Sequence, residues 1–193
     1  MRFIHVADVH WGMVPDADQP WGRDRANDIR ATFRRIIERC RESNVDCLFI
    51  AGDLFHRQPM NKDLQELNYL FGTIPSTHVV IISGEHDRIE ANSALLSFNW
   101  SPNVHWILED TPQSLYFDDI NTEVYGFSYH TRELRETVID GIHPAEDGHI
   151  HILLAHGGDR DHMPVETETL AALPSTTSPS GTSTSRPSSS SAA

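Results

Sequence analysis

The sequence predicts an α/β fold. Short β-branched runs alternate with longer segments of helical periodicity over residues 1–160, the rhythm of strands separated by packed helices. Four of the apolar runs stop abruptly at polar groups rich in Asp and His. A chain of 193 residues suffices for one α/β domain with a buried core, but not for two full-sized ones.

Taken in order, Phe3 to Ala7 reads as the first strand. Asp24 to Ser43 reads as a helix, because Ile29, Phe33, Ile36, Ile37 and Cys40 recur at three- and four-residue spacing and must face the sheet. Cys47 to Ala51 is continuously apolar, as expected of a strand covered on both sides, and it stops at Gly52-Asp53. A second helix spans about Asn61 to Phe71, with Leu64, Leu67, Leu70 and Phe71 inward. His78 to Ile82 is the third buried strand and ends in Ser83-Gly84-Glu85-His86-Asp87. Weaker strands are expected at Val104 to Ile107, Ser114 to Phe117 and Glu123 to Tyr125. A last apolar strand, Ile150 to Ala155, ends at His156-Gly157-Gly158. We expect residues 1–165 to form this domain, and residues 166–193, rich in Ser, Thr and Pro, to be a disordered tail.

Fifteen Lys and Arg against 28 Asp and Glu give a formal charge of -13, so no broad basic face awaits a phosphate backbone. The amino terminus reaches Asp8 before any signal-peptide core can form, and no apolar run has the length of a membrane span. The expectation is a cytoplasmic protein without a membrane partner. Cys40 and Cys47 form neither a CxxC pair nor a disulfide framework and read as reduced core thiols.

The four polar groups are Asp8-Val9-His10, Gly52-Asp53, Gly84-Glu85-His86-Asp87 and His156-Gly157. In open α/β sheets ligands bind at the carboxyl ends of strands, so these groups are expected to converge in one crevice. A single Asp or His after a strand is more often a turn or capping residue; four such groups in this context favour a site. Carboxylates mixed with imidazoles suit Mn, Fe or Zn, whereas Mg and Ca prefer sites made nearly all of oxygen. Asp53 is the candidate bridge. Two cations about 4 Å apart hold a phosphate, activate a water and stabilise charge on the attacking and leaving oxygens.

Asp8-x-His10, Gly52-Asp53-Leu54-Phe55-His56, Gly84-Glu85-His86-Asp87 and Leu154-Ala155-His156-Gly157 resemble successive motifs of the calcineurin-like metallophosphoesterases. The Gly-Asp-Leu-Phe-His string is similar in particular to the DNA repair exonuclease branch, the Mre11/SbcD-like nucleases. The resemblance implies a β-sandwich flanked by helices, here incomplete at its C-terminus. It also implies a phosphodiesterase with two divalent ions, Mn foremost. By it, Asp8, His10 and Asp53 hold one metal, and Asp53, Glu85 and His156 the other. His86 protonates the leaving oxygen or steadies the scissile phosphate, with Asp87 orienting it. His56 either contacts substrate or simply caps its loop. DNA as substrate, an SMC-like ATPase as partner and pairing into a homodimer follow from the same resemblance.

Two departures from the family pattern stand out. The family has Asn at the position of Glu85; a third carboxylate neutralises more of the cations' charge and leaves less to polarise phosphate. The closing Gly-His-x-His motif does not follow His156. Gly148-His149-Ile150-His151 matches it as text, but a strand rising about 3.3 Å per residue puts His151 about 16 Å and His149 about 23 Å from His156. Those two histidines are expected to be exposed or paired with nearby acids. The chain therefore reads as interrupted within its catalytic domain, and two alternatives stay beside the nuclease reading. One is a catalytically impaired fragment acting at most as a binding module; the other is a phosphoesterase on small nucleotides or phosphoproteins.

Trp21 is expected to pack its loop, while Trp11 fits either packing or nucleotide stacking. Arg88 fits a phosphate contact or a salt bridge to Glu90 equally well. His130 reads as a solvated loop residue.

Overall fold

The computed structural model describes residues 1–139, 142–158 and 160–164, and the backbone of residues 180–181. Its strands are β1 (Phe3–Val6), β2 (Cys47–Ala51), β3 (His78–Ile82), β4 (Val104–Ile107), β5 (Gln113–Phe117), β6 (Thr122–Gly126), β7 (Ile150–His156) and β8 (Ser180–Gly181). Its helices are α1 (Gly22–Ser43) and α2 (Asn61–Gly72). One sheet has the order β1-β2-β3-β4 with every pair parallel. The other has the order β5-β6-β7-β8, antiparallel between β5 and β6 and parallel from β6 onward. Apart from Ser180–Gly181, the expected Ser/Thr/Pro-rich tail lies outside the described residues.

The period of two along β2 and β3 decides how the layers stack. Leu48, Ile50, Val79 and Ile81 face outward into a cluster with Phe33, Ile37 and Cys40 of α1 and Leu64, Leu67 and Phe71 of α2. Cys47, Phe49, Ala51, Val80 and Ile82 face the other way and meet Phe117, Val124, Ile152 and Leu154 of the second sheet. The result is two sheets face to face with both helices on the outside of the first, the sandwich that the resemblance implies. Burial on both faces explains the unbroken apolar runs of β2 and β3. Cys40 and Cys47 are free and buried, and burial pushes their thiols up to about 11 and about 12.

Helix α1 starts two residues before the expected Asp24, and Trp21 occupies its N-cap. Of the two tryptophans, Trp21 departs from expectation and Trp11 follows one of its two alternatives, packing. Trp21 is 53% exposed, so it does not pack its loop, because the cap position points it away from the apolar stripe. Trp11 is 1% exposed, edge-on to Phe33 and under the Arg30 guanidinium, so it is core and not a stacking platform. The cause is a backbone extension: Trp11 N–H donates to the Leu54 carbonyl and His56 N–H to the Trp11 carbonyl, carrying the β1–β2 pairing past the strand ends.

Candidate metal centre

β1, β2 and β3 run parallel, so their following loops emerge at one edge, and β7 packs across β2 and β3 to deliver His156 there from the second sheet. Asp8, His10 and Asp53 all adopt left-handed backbone conformations, with φ of 53°, 50° and 52°. Such conformations cost of order 1–3 kcal/mol each for residues with a side chain, and they cluster where the surrounding structure enforces a site. The stitching between the two loops enforces these: Asp8 N–H donates to the Gly52 carbonyl and His10 N–H to the Asp53 carbonyl.

Asp53 is 1% exposed and lies at the centre. Its Oδ2 is 3.8 Å from His10 Nε2 and 3.9 Å from His86 Nε2; its Oδ1 is 3.8 Å from His156 Nε2 and accepts the His86 backbone N–H at 3.0 Å. Asp8 Oδ1 stands 3.9 Å from His10 Nε2. Asp8, His10 and Asp53 thus bring three donor atoms within 4.8 Å of one another, and so do Asp53, Glu85 and His86. Donors about 3.8 Å apart suit a cation bound at ~2.1–2.3 Å from each, and the mixed carboxylate and imidazole set suits a divalent transition ion. Two glycines permit this closeness: a Cβ on Gly84 would lie 2.3 Å from Asp53 Oδ1, and one on Gly52 would lie 2.4 Å from the His156 ring. The residues present therefore fit metal binding, with Asp53 facing both groups.

Glu85 and His156 make a different kind of contact. His156 donates Nδ1–H to the Ala51 carbonyl at 2.7 Å, and its Nε2 meets Glu85 Oε2 at 2.8 Å. Burial works against charge on His156, but the bond to Glu85 and the charges of Asp53 and Glu85 outweigh it and push the imidazole up to about 9. Burial likewise opposes the Glu85 carboxylate, yet the His156 partner holds it down at about 2. Asp53 is pushed up to about 6, chiefly by burial. His10 and His56 are held below the ordinary imidazole range, first by burial and then by neighbouring His86.

The predicted positions come together with differences in detail, the first being that the second compact donor set has His86 where His156 was expected. Asp87 is fully buried, but its carboxylate accepts from the Gly84 and Phe55 backbone N–H groups, at 2.8 and 3.0 Å, and not from His86. It ties the loop after β3 to the loop after β2, and burial pushes it up to about 7. The partner of His86 is the His56 carbonyl, which accepts Nδ1–H at 3.1 Å. His56 itself lies with its Nδ1 3.4 Å from that of His10 and its ring stacked on His86. The sequence marks Tyr129-His130 only as resembling a loop near the family's active site and gives Tyr129 no role; it is buried, donates its hydroxyl to the His156 carbonyl at 2.9 Å and stands edge-on to that ring.

Arg88 pairs with Glu90, as the salt-bridge alternative has it, and exposed His130 donates Nε2–H to the Leu108 carbonyl. His149 and His151 are both paired with Asp147, and His151, 5% exposed, also with Glu123. They sit at the start of β7 and His156 at its end, so the Gly-His-x-His string lies away from the centre.

A fold of two face-to-face sheets with carboxylates and imidazoles gathered at the strand ends defines a metallophosphoesterase. A family model described as calcineurin-like phosphoesterase matches residues 1–182, and the chain belongs to that family of hydrolases, which uses divalent metal ions. The chain is 37% identical over 91 residues to the DNA double-strand break repair protein Mre11 of Archaeoglobus fulgidus, covering 46% of this chain and 20% of that protein. It is 34% identical over 104 residues to the SbcD component of the nuclease SbcCD of Rhodobacter capsulatus, covering 50% and 24%. It is 27% identical over 180 residues to the uncharacterized metallophosphoesterase YhaO of Bacillus subtilis, covering 85% and 43%. These likenesses support the Mre11/SbcD-like branch, and the matches span less than half the length of each of these relatives. Among the described residues no helix is long and apolar enough to cross a membrane.

Proposed function

We propose that the chain is a dinuclear-metal phosphodiesterase of the DNA exonuclease kind, with Mn as the working ion. The observation that carries this is Asp53, buried and facing His10 on one side and His156 on the other. Asp8, His10 and Asp53 would hold one ion, and Asp53, Glu85 and His156 the second. Bound ions supply a polarised phosphate and a water acidic enough to attack it at neutral pH. The chain's own part is orientation and proton handling. His86 Nδ1–H is fixed on the His56 carbonyl, which leaves Nε2 facing Asp53 and the centre, able to donate a proton to a departing oxygen. Asp87 holds the two loops that carry His56 and His86 in register. His56, stacked on His86, is placed to meet the substrate beside it. The names of the Mre11 and SbcCD relatives support DNA as substrate, and the second, one component of a larger nuclease, supports action with a partner, an SMC-like ATPase.

The Glu85–His156 bond favours a second reading, a chain that binds metal weakly and turns over slowly, because an ion must displace the proton that joins them. Chelator-stripped protein titrated with Mn by calorimetry, followed by assay on a DNA duplex and on bis(p-nitrophenyl) phosphate, separates the two. Two ions per folded monomer with Mn-dependent cleavage are expected. One weak ion with no cleavage of either substrate overturns the phosphodiesterase reading.

A further inference from the structure

Beside the centre lies a cleft of about 390 Å³, within the ~300–1,000 Å³ range of ligand sites, lined by His56, Arg57, Glu85, His86, Arg88 and Arg132 among others. Its charge runs against that of the chain, which carries 28 acidic and 15 basic side chains. Outside the cleft several guanidiniums are paired with carboxylates: Arg30 and Arg34 with Glu66, Arg39 with Glu42, Arg41 with Glu38, and Arg135 with Glu133 and Asp161. Arg88, inside the cleft, is likewise paired with Glu90. Arg57 and Arg132 are exposed, and among the described residues neither has an acidic partner. They come from separate segments, one following Asp53 and His56 and the other following β6, and meet at the same cleft.

Two permanently charged guanidiniums facing one cleft gather positive potential there, and an anion entering it gains charge-assisted, bidentate hydrogen bonds. A lone phosphate at the centre would be handled by His86 and the proposed metal ligands, leaving the arginines idle. We infer that Arg57 and Arg132 form a subsite for the phosphates that flank the scissile one, so that this cleft selects a nucleic-acid strand over a small phosphodiester. The inference rests on the phosphodiesterase reading for which phosphate is cut, but not for the binding itself. Glu85 lines the same cleft, and its charge disfavours a phosphate close to it and so favours phosphates near the arginines.

The test is fluorescence anisotropy of a short fluorescein-labelled single-stranded DNA with the whole chain in chelator, where no cleavage occurs, across a series of salt concentrations. The double variant Arg57→Gln/Arg132→Gln is expected to bind about tenfold or more weakly at low salt, with a log–log salt slope shallower by about 1.4, two phosphates' worth for a single strand. Arg57→Lys/Arg132→Lys should retain most of the slope, and Arg39→Gln, at an exposed position of α1 outside the cleft, should change nothing. Wild-type slope and affinity in the double Gln variant, no binding by the wild type, or an equal loss in Arg39→Gln would each overturn the inference. Turnover of bis(p-nitrophenyl) phosphate with Mn is read separately. Arginine-dependent binding without turnover sinks the phosphodiesterase reading and keeps the cleft; turnover with arginine-independent binding does the reverse.

Discussion

The two halves of the centre share Asp53 and little else in their electrostatics. Around His10 the donors stand apart, 3.8 Å to Asp53 and 3.9 Å to Asp8, and the imidazole is held below its ordinary range, ready to give a lone pair to a cation. Around His156 the donors have closed on each other: Nε2 meets Glu85 at 2.8 Å, and the imidazole holds a proton up to about 9. The same residue types thus make an open cage on one side and an ion pair on the other. The departure from the family pattern at this position, a carboxylate at Glu85 where the family has Asn, accounts for the contrast. A carboxylate stabilises protonated imidazole far more than an amide does.

Breaking the shared element should have the largest effect. Asp53→Asn removes the carboxylate that faces both halves, and we expect it to abolish Mn binding on both sides. Wild type at a hundredfold excess over Kd should gain about 2.7 kcal/mol of stability from one ion, and the variant none. In chelator the variant should be at least as stable as wild type, because burial of the Asp53 charge is a cost. Thermal unfolding with and without Mn checks both, and an undiminished Mn-induced shift would refute the bridging role.

Next in size is Gly84→Ala. Its Cβ would come within 2.3 Å of Asp53 Oδ1 and 2.8 Å of His156, so one of them must move. The clash falls on His156 and on Oδ1, the Asp53 oxygen that faces it, so we expect Mn affinity in that half to fall roughly 10–100-fold, as with other residues that orient ligands, and that of the His10 half to fall less, through the shared carboxylate. Equal losses in both halves by calorimetry would contradict the distinction.

Glu85→Asn sharpens the contrast from the other direction. Freed of its carboxylate, His156 should lose its proton near neutrality, and the uptake of Mn at pH 7 should release about one proton fewer than in wild type. Calorimetry in buffers of different ionisation enthalpy reads this directly. Turnover should rise or shift its metal dependence, and no change in rate, metal dependence or proton release would count against the role given to Glu85.

How much of this was legible in the sequence depends on the kind of contact. Asp8, His10, Asp53 and His156 each follow or end an apolar strand, and parallel strands bring such ends together whatever the loops do, so hydrophobic patterning alone marks them. The two buried clusters of β2 and β3 are legible for the same reason. The supports are not: Tyr129 reaching the His156 carbonyl, the His56 carbonyl turning His86, and Asp87 bonding amides of two loops all depend on the paths of irregular backbone. The tryptophans show the same limit, since Trp11 is buried only because the β1–β2 pairing continues through its loop. The closure of Glu85 on His156 joins residues 71 apart in sequence, on different sheets, and the charge of Glu85 was its only signal.

The most discriminating test is the pH dependence of stability. Asp53 at about 6 and Asp87 at about 7 have been raised by burial from an ordinary 3.8. A group whose folded value is raised contributes stability that is fully present below its unfolded value and lost as pH rises through the folded one. His156 acts in the same direction over a higher window, fully contributing below 6.5 and fading as pH passes about 9. Glu85, depressed from 4.5 to about 2, acts oppositely: its contribution is present above 4.5 and fades toward 2, and with His156 it describes one ion pair, counted once. Chelated protein should therefore be most stable near pH 4 and lose roughly several kcal/mol by pH 8. Mn demands the reverse, an ionised Asp53 and an unprotonated His156, so its stabilising effect should grow from pH 5 to pH 9 and bring the two curves together at the acid end. A chelated protein whose melting temperature is flat, or highest at pH 8, would mean that the His156 half is not closed by a proton and that the two halves of the centre are alike.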